Sequence, residues 1–187
     1  MKDIKEESKK MYKVIALIGK AGSGKDTIAR RICEEMQDIN FITSFTTRPK
    51  REKETEGKEY HFVSKETFKN LNLFDKEEFN GWLYGTGYDS LREDVVNIGI
   101  FNPAGIRTLL KQPDIEVITY YIVASDKERM LRQLNREKQP DVREIARRFL
   151  TDEEDFSNID FSHICVWNET EEAIDAISRM IIEVNLH

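Results

Sequence analysis

Apolar residues follow two rhythms along this chain. Val14-Ile15-Ala16-Leu17-Ile18 is an unbroken run that suits a buried strand. Ile28, Ala29, Ile32, Cys33 and Met36 then recur at helical spacing and predict one buried helix face. Asn40 to Thr43 predicts a short strand that runs on into Ser44–Arg51, and Pro49 with the charged stretch 50–58 reads as a loop. Tyr60 to Val63 predicts a strand, and Ser64 caps a short helix through Phe68. Residues 71–79 alternate weakly, and Asn80-Gly81 signals a hairpin whose return strand is Trp82-Leu83-Tyr84. From Asn97 the two rhythms alternate again. A strand covers 97–101, and a helix with Pro103 in its first turn reaches Leu110. A nearly continuous apolar strand over 117–124 is followed by a helix, capped by Ser125-Asp126, through about 134. After a polar break at 135–140, Asp141-Val142-Arg143-Glu144 opens a helix with Val142, Ile145, Ala146 and Phe149 on one face. A last strand, 163–167, precedes an amphipathic helix over 168–184 that buries Ile174, Ile177, Ile181 and Val184.

Alternating strands and helices predict an α/β fold with a parallel sheet covered on both sides, a three-layer arrangement. The mostly β stretch at about 41–90 interrupts that rhythm and reads as an inserted, substrate-facing subdomain. The expected organisation is one domain over 1–187, with a core of 11–40 and 97–187, a helical lid at about 135–150 and a solvated tail at 1–10.

The first strand and first helix enclose Gly19-Lys20-Ala21-Gly22-Ser23-Gly24-Lys25-Asp26. Strand, glycine-rich turn, lysine and helix together are the context of a phosphate-binding P-loop. The glycines let backbone N–H groups turn inward toward an anion, and the helix N-terminus adds its dipole. Gly19 to Thr27 are therefore candidates to bind ATP, with Lys25 reaching the β- and γ-phosphates. The Ser or Thr that ordinarily follows the lysine and holds Mg²⁺ is Asp26 here, and Thr27 lies one place late. A strand-to-helix turn that merely contains Gly-Lys is the plain alternative.

Composition narrows the setting. The 187 residues are 39% hydrophobic and 34% charged, enough for one domain with a proper core. A net charge of −6 argues against a general nucleic-acid binder. Cys33 and Cys165 each fall in an apolar pattern and read as buried free thiols. His61, His163 and His187 are scattered and show no metal-ligand spacing. With no signal peptide and no membrane-length run, the expectation is a cytoplasmic protein with no membrane partner.

Ser44, Arg48, Arg51 and Tyr60 form a second cluster of arginines and hydroxyls, suited to another phosphate, although on charge alone a solvated charged loop explains them better. Here a family resemblance enters. Ser44-Phe-Thr-Thr-Arg48-Pro-Lys-Arg51, then Glu56-Gly57-Lys-Glu-Tyr60-His61-Phe62-Val63-Ser64, resembles the monophosphate-binding segment of guanylate kinases. Asn80-Gly81-Trp-Leu-Tyr84-Gly85-Thr86 is similar to that family's next motif, and the P-loop, 132–148 and Ile164–Asn168 match in order.

The resemblance implies that Arg48, Arg51, Tyr60 and Tyr84 hold the acceptor phosphate, with Ser44 and Thr86 near the base. The family's two guanine-reading acids fall on Asp75 and Asn102, with Glu77 or Glu78 as substitutes in a shifted register. Asp75 is one methylene shorter than the expected Glu, and Asn102 both donates and accepts, so a different base edge is open to it. Arg132, Arg136, Arg143, Arg147 and Arg148 flank the polar break. By the resemblance Arg136 and Arg148 act as lid arginines beside Lys25 in catalysis, with Arg147 the competing choice. Asn168 reads either as an adenine contact or as the cap of the last helix, and Asp126 as a cap.

These expectations describe an ATP-dependent, Mg²⁺-requiring nucleoside-monophosphate kinase, a monomer or homodimer, whose acceptor is GMP or a deoxynucleoside monophosphate. Asp26 is its candidate metal ligand, direct or through water. The alternatives are a deoxynucleotide kinase of altered base choice and a catalytically silent, protein-binding domain of the same type.

Overall fold

The computed structural model describes residues 11–50, 54–58, 60–79, 81–136 and 139–185. The expected tail at 1–10, Arg51 and Asn80 lie outside the described residues. Element order is β1 (Tyr12–Ile18), α1 (Lys25–Glu35), β2 (Ile39–Phe41), β3 (Phe45–Thr46), β4 (His61–Phe62), α2 (Lys65–Lys69), β5 (Leu73–Phe79) and β6 (Trp82–Gly87). It continues with β7 (Val96–Ile100), α3 (Pro103–Leu109), β8 (Ile115–Val123), α4 (Asp126–Asn135), α5 (Val142–Asp155), β9 (Ile164–Trp167) and α6 (Glu171–Asn185).

Five strands form one parallel sheet in the order β2-β7-β1-β8-β9. The unbroken apolar run of β1 has the place that such a run demands, in the middle with both faces covered. Alternate residues divide between the faces. Ile15 and Leu17 meet Ile28 and Ile32 of α1 and Ile177 and Ile181 of α6. Val14, Ala16 and Ile18 meet Ile106 and Leu109 of α3 on the other side. The result is the three-layer α/β fold that the alternating rhythms predict.

A second sheet, β4-β3-β6-β5, is built from residues between β2 and β7. β6 is antiparallel to both β5 and β3. Phe79 lies opposite Trp82, and Gly81 turns the chain between them at a φ of 77°.

Several face assignments need correction. Val142 and Ala146 of α5 are exposed, while Ile145 is buried. On α6 the buried stripe takes in Ile177, Ser178, Ile181 and Ile182, which leaves Val184 on its flank at 66% exposure. Cys165 is exposed because β9 is an edge strand, and Cys33 is only half-buried. Asn168 does not cap α6; the Thr170 hydroxyl accepts the Ala173 N–H instead (3.3 Å). Ser125 caps α4, and Asp126 pairs with Arg129. Among the described residues no helix is long and apolar enough to cross a membrane.

Candidate active site

The glycine loop leaves β1 at Ile18 and enters α1 at Lys25, so it opens at the carboxyl edge of the parallel sheet, where α/β folds hold ligands. Gly22 and Gly24 sit at φ 81° and 93°, a region L side chains rarely adopt. Gly24 is the residue before α1, so the first N–H groups of the helix belong to the loop. The Lys25 ammonium is mostly buried and lies 3.8 Å from the Asp26 carboxylate. Burial pulls its pKa below the ordinary lysine value, while Asp26 and Asp152 push the other way.

A cleft of about 1170 Å³ lies in front of the loop. Gly24, Lys25, Asp26 and Thr27 line it from the loop side, and Arg132, Arg136 and Arg148 line it from α4 and α5. Arg132 also donates to the carbonyl of Asn168 (3.0 Å) and to Glu128 (2.9 Å). Arg148 donates to Glu144 (2.9 Å), which Arg147 grips through two nitrogens at 2.7 and 2.8 Å. The structure thus gathers Arg136 and Arg148 around the cleft with Lys25. Lys20 is turned to Glu153 of α5 rather than to the cleft (2.5 Å). Asn168 is fully buried beneath the loop, and its amide donates to the Ser23 carbonyl (2.8 Å). Neither the adenine contact nor the cap expected of it matches that place.

A second pocket, of about 130 Å³, brings together Ser44, Tyr60, Asp75, Tyr84, Thr86 and Asn102. The β5–β6 register explains the set. Asp75 lies opposite Thr86 and Glu77 opposite Tyr84, so all four share one face of the hairpin. Ser44 and Thr86 hydroxyls are 2.7 Å apart. Glu77, in the sequence a substitute for Asp75 in a shifted register, lines the pocket beside it. Burial raises the pKa of both Asp75 and Glu77, and for Glu77 the neighbouring Asp75 and Asp155 add to the rise. Asn102 has two duties: it lines the pocket, and its Oδ1 caps α3 by accepting the Gly105 N–H (2.7 Å). Arg48 lies over the Tyr60 ring at 5.7 Å, and Glu54 holds its guanidinium at 2.7 and 2.9 Å.

Topology brings the two sites to one edge. β7 is the neighbour of β1, Leu17 faces Ile100, and the Phe101 N–H donates to the Leu17 carbonyl (3.0 Å). Asn102 and the glycine loop therefore leave adjacent strand ends. Arg129 and Asp152, which grip the loop from behind, were missed in the sequence. In the sequence Asp126 reads as a cap, and nothing in the spacing marks Arg129 or Asp152.

A parallel sheet with a glycine-rich anion loop on its central strand and an added antiparallel sheet define a P-loop α/β protein. More narrowly, the chain belongs to the guanylate kinase family, whose model, described as Guanylate kinase, matches residues 11–184. A guanylate kinase of Chlorobium luteolum is 40% identical over 92 residues, 47% of this chain and 47% of that protein. The chain thus spans about half the length of that relative. A guanylate kinase of a Nostoc species is 28% identical over 172 residues, 86% of this chain and 84% of the relative. The crystal structure of guanylate kinase from Anaplasma phagocytophilum shares the fold, with a TM-score of 0.60 at 24% identity over 96% of this chain and 89% of that one.

Proposed function

We propose that the protein transfers the γ-phosphoryl group of ATP to a nucleoside monophosphate, with GMP the first acceptor to test. The observation that carries this reading is the pairing of two anion sites at adjacent strand ends. The loop cleft offers Lys25, a helix N-terminus and five arginines, three of them (Arg132, Arg136 and Arg148) facing the loop, enough positive charge for a triphosphate. The hairpin pocket offers Tyr60 and Tyr84 beside Arg48 for a monophosphate, and polar groups with a carboxylate for a base. A phosphate oxygen is already nucleophilic, so positioning and charge neutralisation carry the catalysis. Lys25, Arg136 and Arg148 would stabilise charge on the transferring group, and the loop from Gly22 to Thr27 would hold the donor, with Gly19 to Ala21 shaping its course. Ser44, Arg48, Arg51, Tyr60, Asp75, Tyr84, Thr86 and Asn102 would hold the acceptor. Arg48 would exchange its Glu54 partner for the phosphate.

Mg²⁺ prefers hard oxygen ligands, and Asp26 fits it: an exposed carboxylate in the cleft, beside the Lys25 ammonium. Bound there, Mg²⁺ would neutralise phosphate charge.

Asn102 favours a second reading of the base site. With its Oδ1 already accepting the Gly105 N–H, the Nδ2 donor is the group of Asn102 with no bond of its own to the helix. A donor reads acceptor atoms, whereas a carboxylate reads N–H groups, so base choice can differ from guanine. Coupled-assay rates across ribo- and deoxynucleoside monophosphates test both readings. Preference for GMP and dGMP supports the first, and preference for another base supports the second. No transfer to any of them would refute the kinase reading. Lys25→Met should lower kcat by about 10²–10³-fold.

A further inference from the structure

Behind the phosphate loop lies a buried ion pair that the proposed chemistry does not use. Arg129 of α4 is 1% exposed, the largest fully buried side chain among the described residues. Its Nε donates to the Ala21 carbonyl (3.0 Å), and its Nη2 donates to Asp152 Oδ2 of α5 (2.9 Å). The same Asp152 oxygen accepts the Ala21 N–H (2.7 Å). Both hydrogen-bonding groups of Ala21 are therefore held by one ion pair. Asp126 takes the Nη1 of Arg129 (2.7 Å), and the Phe149 ring lies 4.3 Å from the guanidinium. The loop residues on either side are tied to the same helices. Lys20 pairs with Glu153, and a Cβ on Gly22 would meet the Arg129 carbonyl oxygen at 2.6 Å.

Burying a guanidinium costs several kcal/mol of desolvation, and apolar residues could join α4 to α5 more cheaply. Directional hydrogen bonds do what apolar packing cannot: they fix the orientation of a peptide plane. Ala21 has no side chain long enough to be held by packing, and its peptide sets the course of the loop into Gly22.

We propose that Arg129 and Asp152 are positioning residues that lock the two peptide planes meeting at Ala21 and so tie the shape of the donor loop to the place of α5, the helix that carries Arg148. Neither touches substrate. The inference rests on the reading of the loop as the ATP site. It makes donor binding sensitive to α5 through Ala21, whereas the hairpin pocket feels the charge of Asp155 near Glu77 and takes no hydrogen bond from Arg129 or Asp152.

The test uses the full chain with Asp152→Ala, Arg129→Met, the double variant, and the conservative Asp152→Asn and Arg129→Lys. Calorimetry measures the Kd of ATP and, separately, of GMP, at a temperature where circular dichroism shows each variant native. Loss of a charge-assisted bond predicts an ATP Kd raised about 10–100-fold in each truncation, with the GMP Kd within about twofold of wild type. The double variant should be no worse than the poorer single one, since the pair acts as a unit. Arg129→Lys should recover part of the loss. Equal weakening of ATP and GMP, or lowered melting temperature with unchanged ATP affinity, would overturn the inference and leave the pair a structural one. Should both truncations fail to fold, the conservative variants decide by the same split. Wild-type protein that binds ATP but phosphorylates no monophosphate would refute the kinase reading alone, and the ATP Kd series would still judge this one. Wild-type protein that binds no ATP would sink both.

Discussion

The Asp26 carboxylate is 72% exposed in the cleft, although it lies beside the buried ammonium of Lys25. At 3.8 Å the pair is loose, and the exposed carboxylate faces the cleft where a cation could reach it. Asp26→Ala should lower turnover and shift the Mg²⁺ optimum upward; an unchanged Mg²⁺ profile would exclude the metal role. Tyr88 gives a second test, by pH. Its hydroxyl donates to Asp114 (2.5 Å), and burial followed by that carboxylate raises its pKa to about 12. The folded state thus keeps the phenol proton longer than the unfolded chain does. Stability from this group is intact below the ordinary value of 10.0 and is lost as pH rises from there to about 12. Urea midpoints between those pH values should fall in wild type and flatten in Tyr88→Phe. At this scale the sequence showed what local spacing can show. Lys25 follows glycines, and Ser44, Tyr84 and Thr86 sit in a recognisable order. Arg129 and Asp152 are 23 positions apart, bound to a loop more than a hundred residues earlier in the chain, and only folding brings them together.

Helix α5 shows what periodicity can and cannot determine. Helical spacing correctly groups residues on a common face, but it does not say which neighbour that face meets. Val142 and Ala146 share the stripe of Leu150, which is exposed, whereas Ile145 and Phe149 turn inward. The same limit explains Val184: α6 is rotated so that Ile182 takes the place expected for it. Capping was more legible, because Asp141 accepts the N–H groups of Arg143 and Glu144 within its own turn (both 3.1 Å). Glu144 then turns outward to Arg147 first and Arg148 second, and these hydrogen bonds lower its pKa to about 2. A depressed carboxylate contributes fully above its ordinary value of 4.5 and loses that contribution as pH falls toward about 2. Acidification through this window should weaken the α5 N-terminus and release Arg148. Glu144→Gln should remove that part of the acid dependence, as read by helical circular dichroism and urea midpoint against pH. An identical acid limb in the variant would show that the Glu144 pairs contribute nothing to α5, as exposed pairs often do.

At the scale of the whole molecule, strand and helix order was legible because each element carries its own period, whereas strand neighbours were not. That β1 lies between β7 and β8 follows from long-range pairing, which no window of sequence contains. This pairing places the glycine loop beside Asn102, and it also concentrates the core beneath the loop. Ile28 in the first turn of α1 packs with Ile177 and Ile181 of α6 over Ile15 and Leu17. The stability of that cluster should therefore fall on α6 residues in proportion to burial, not to their place in the helical pattern. Ile181 is 0% exposed and Val184 is 66% exposed. Ile181→Ala leaves a cavity against a close-packed sheet and should cost about 2–5 kcal/mol. Val184→Ala removes mostly solvated surface and should stay within about 0.5 kcal/mol. Urea unfolding with a common m-value measures both. Equal losses at the two positions would mean that α6 is rotated so that Val184 joins Ile177 and Ile181 against the sheet. Because α1 begins at Lys25, Ile181→Ala should also loosen the loop more than Val184→Ala does, and a larger rise in the ATP Kd of the folded Ile181→Ala variant would register it.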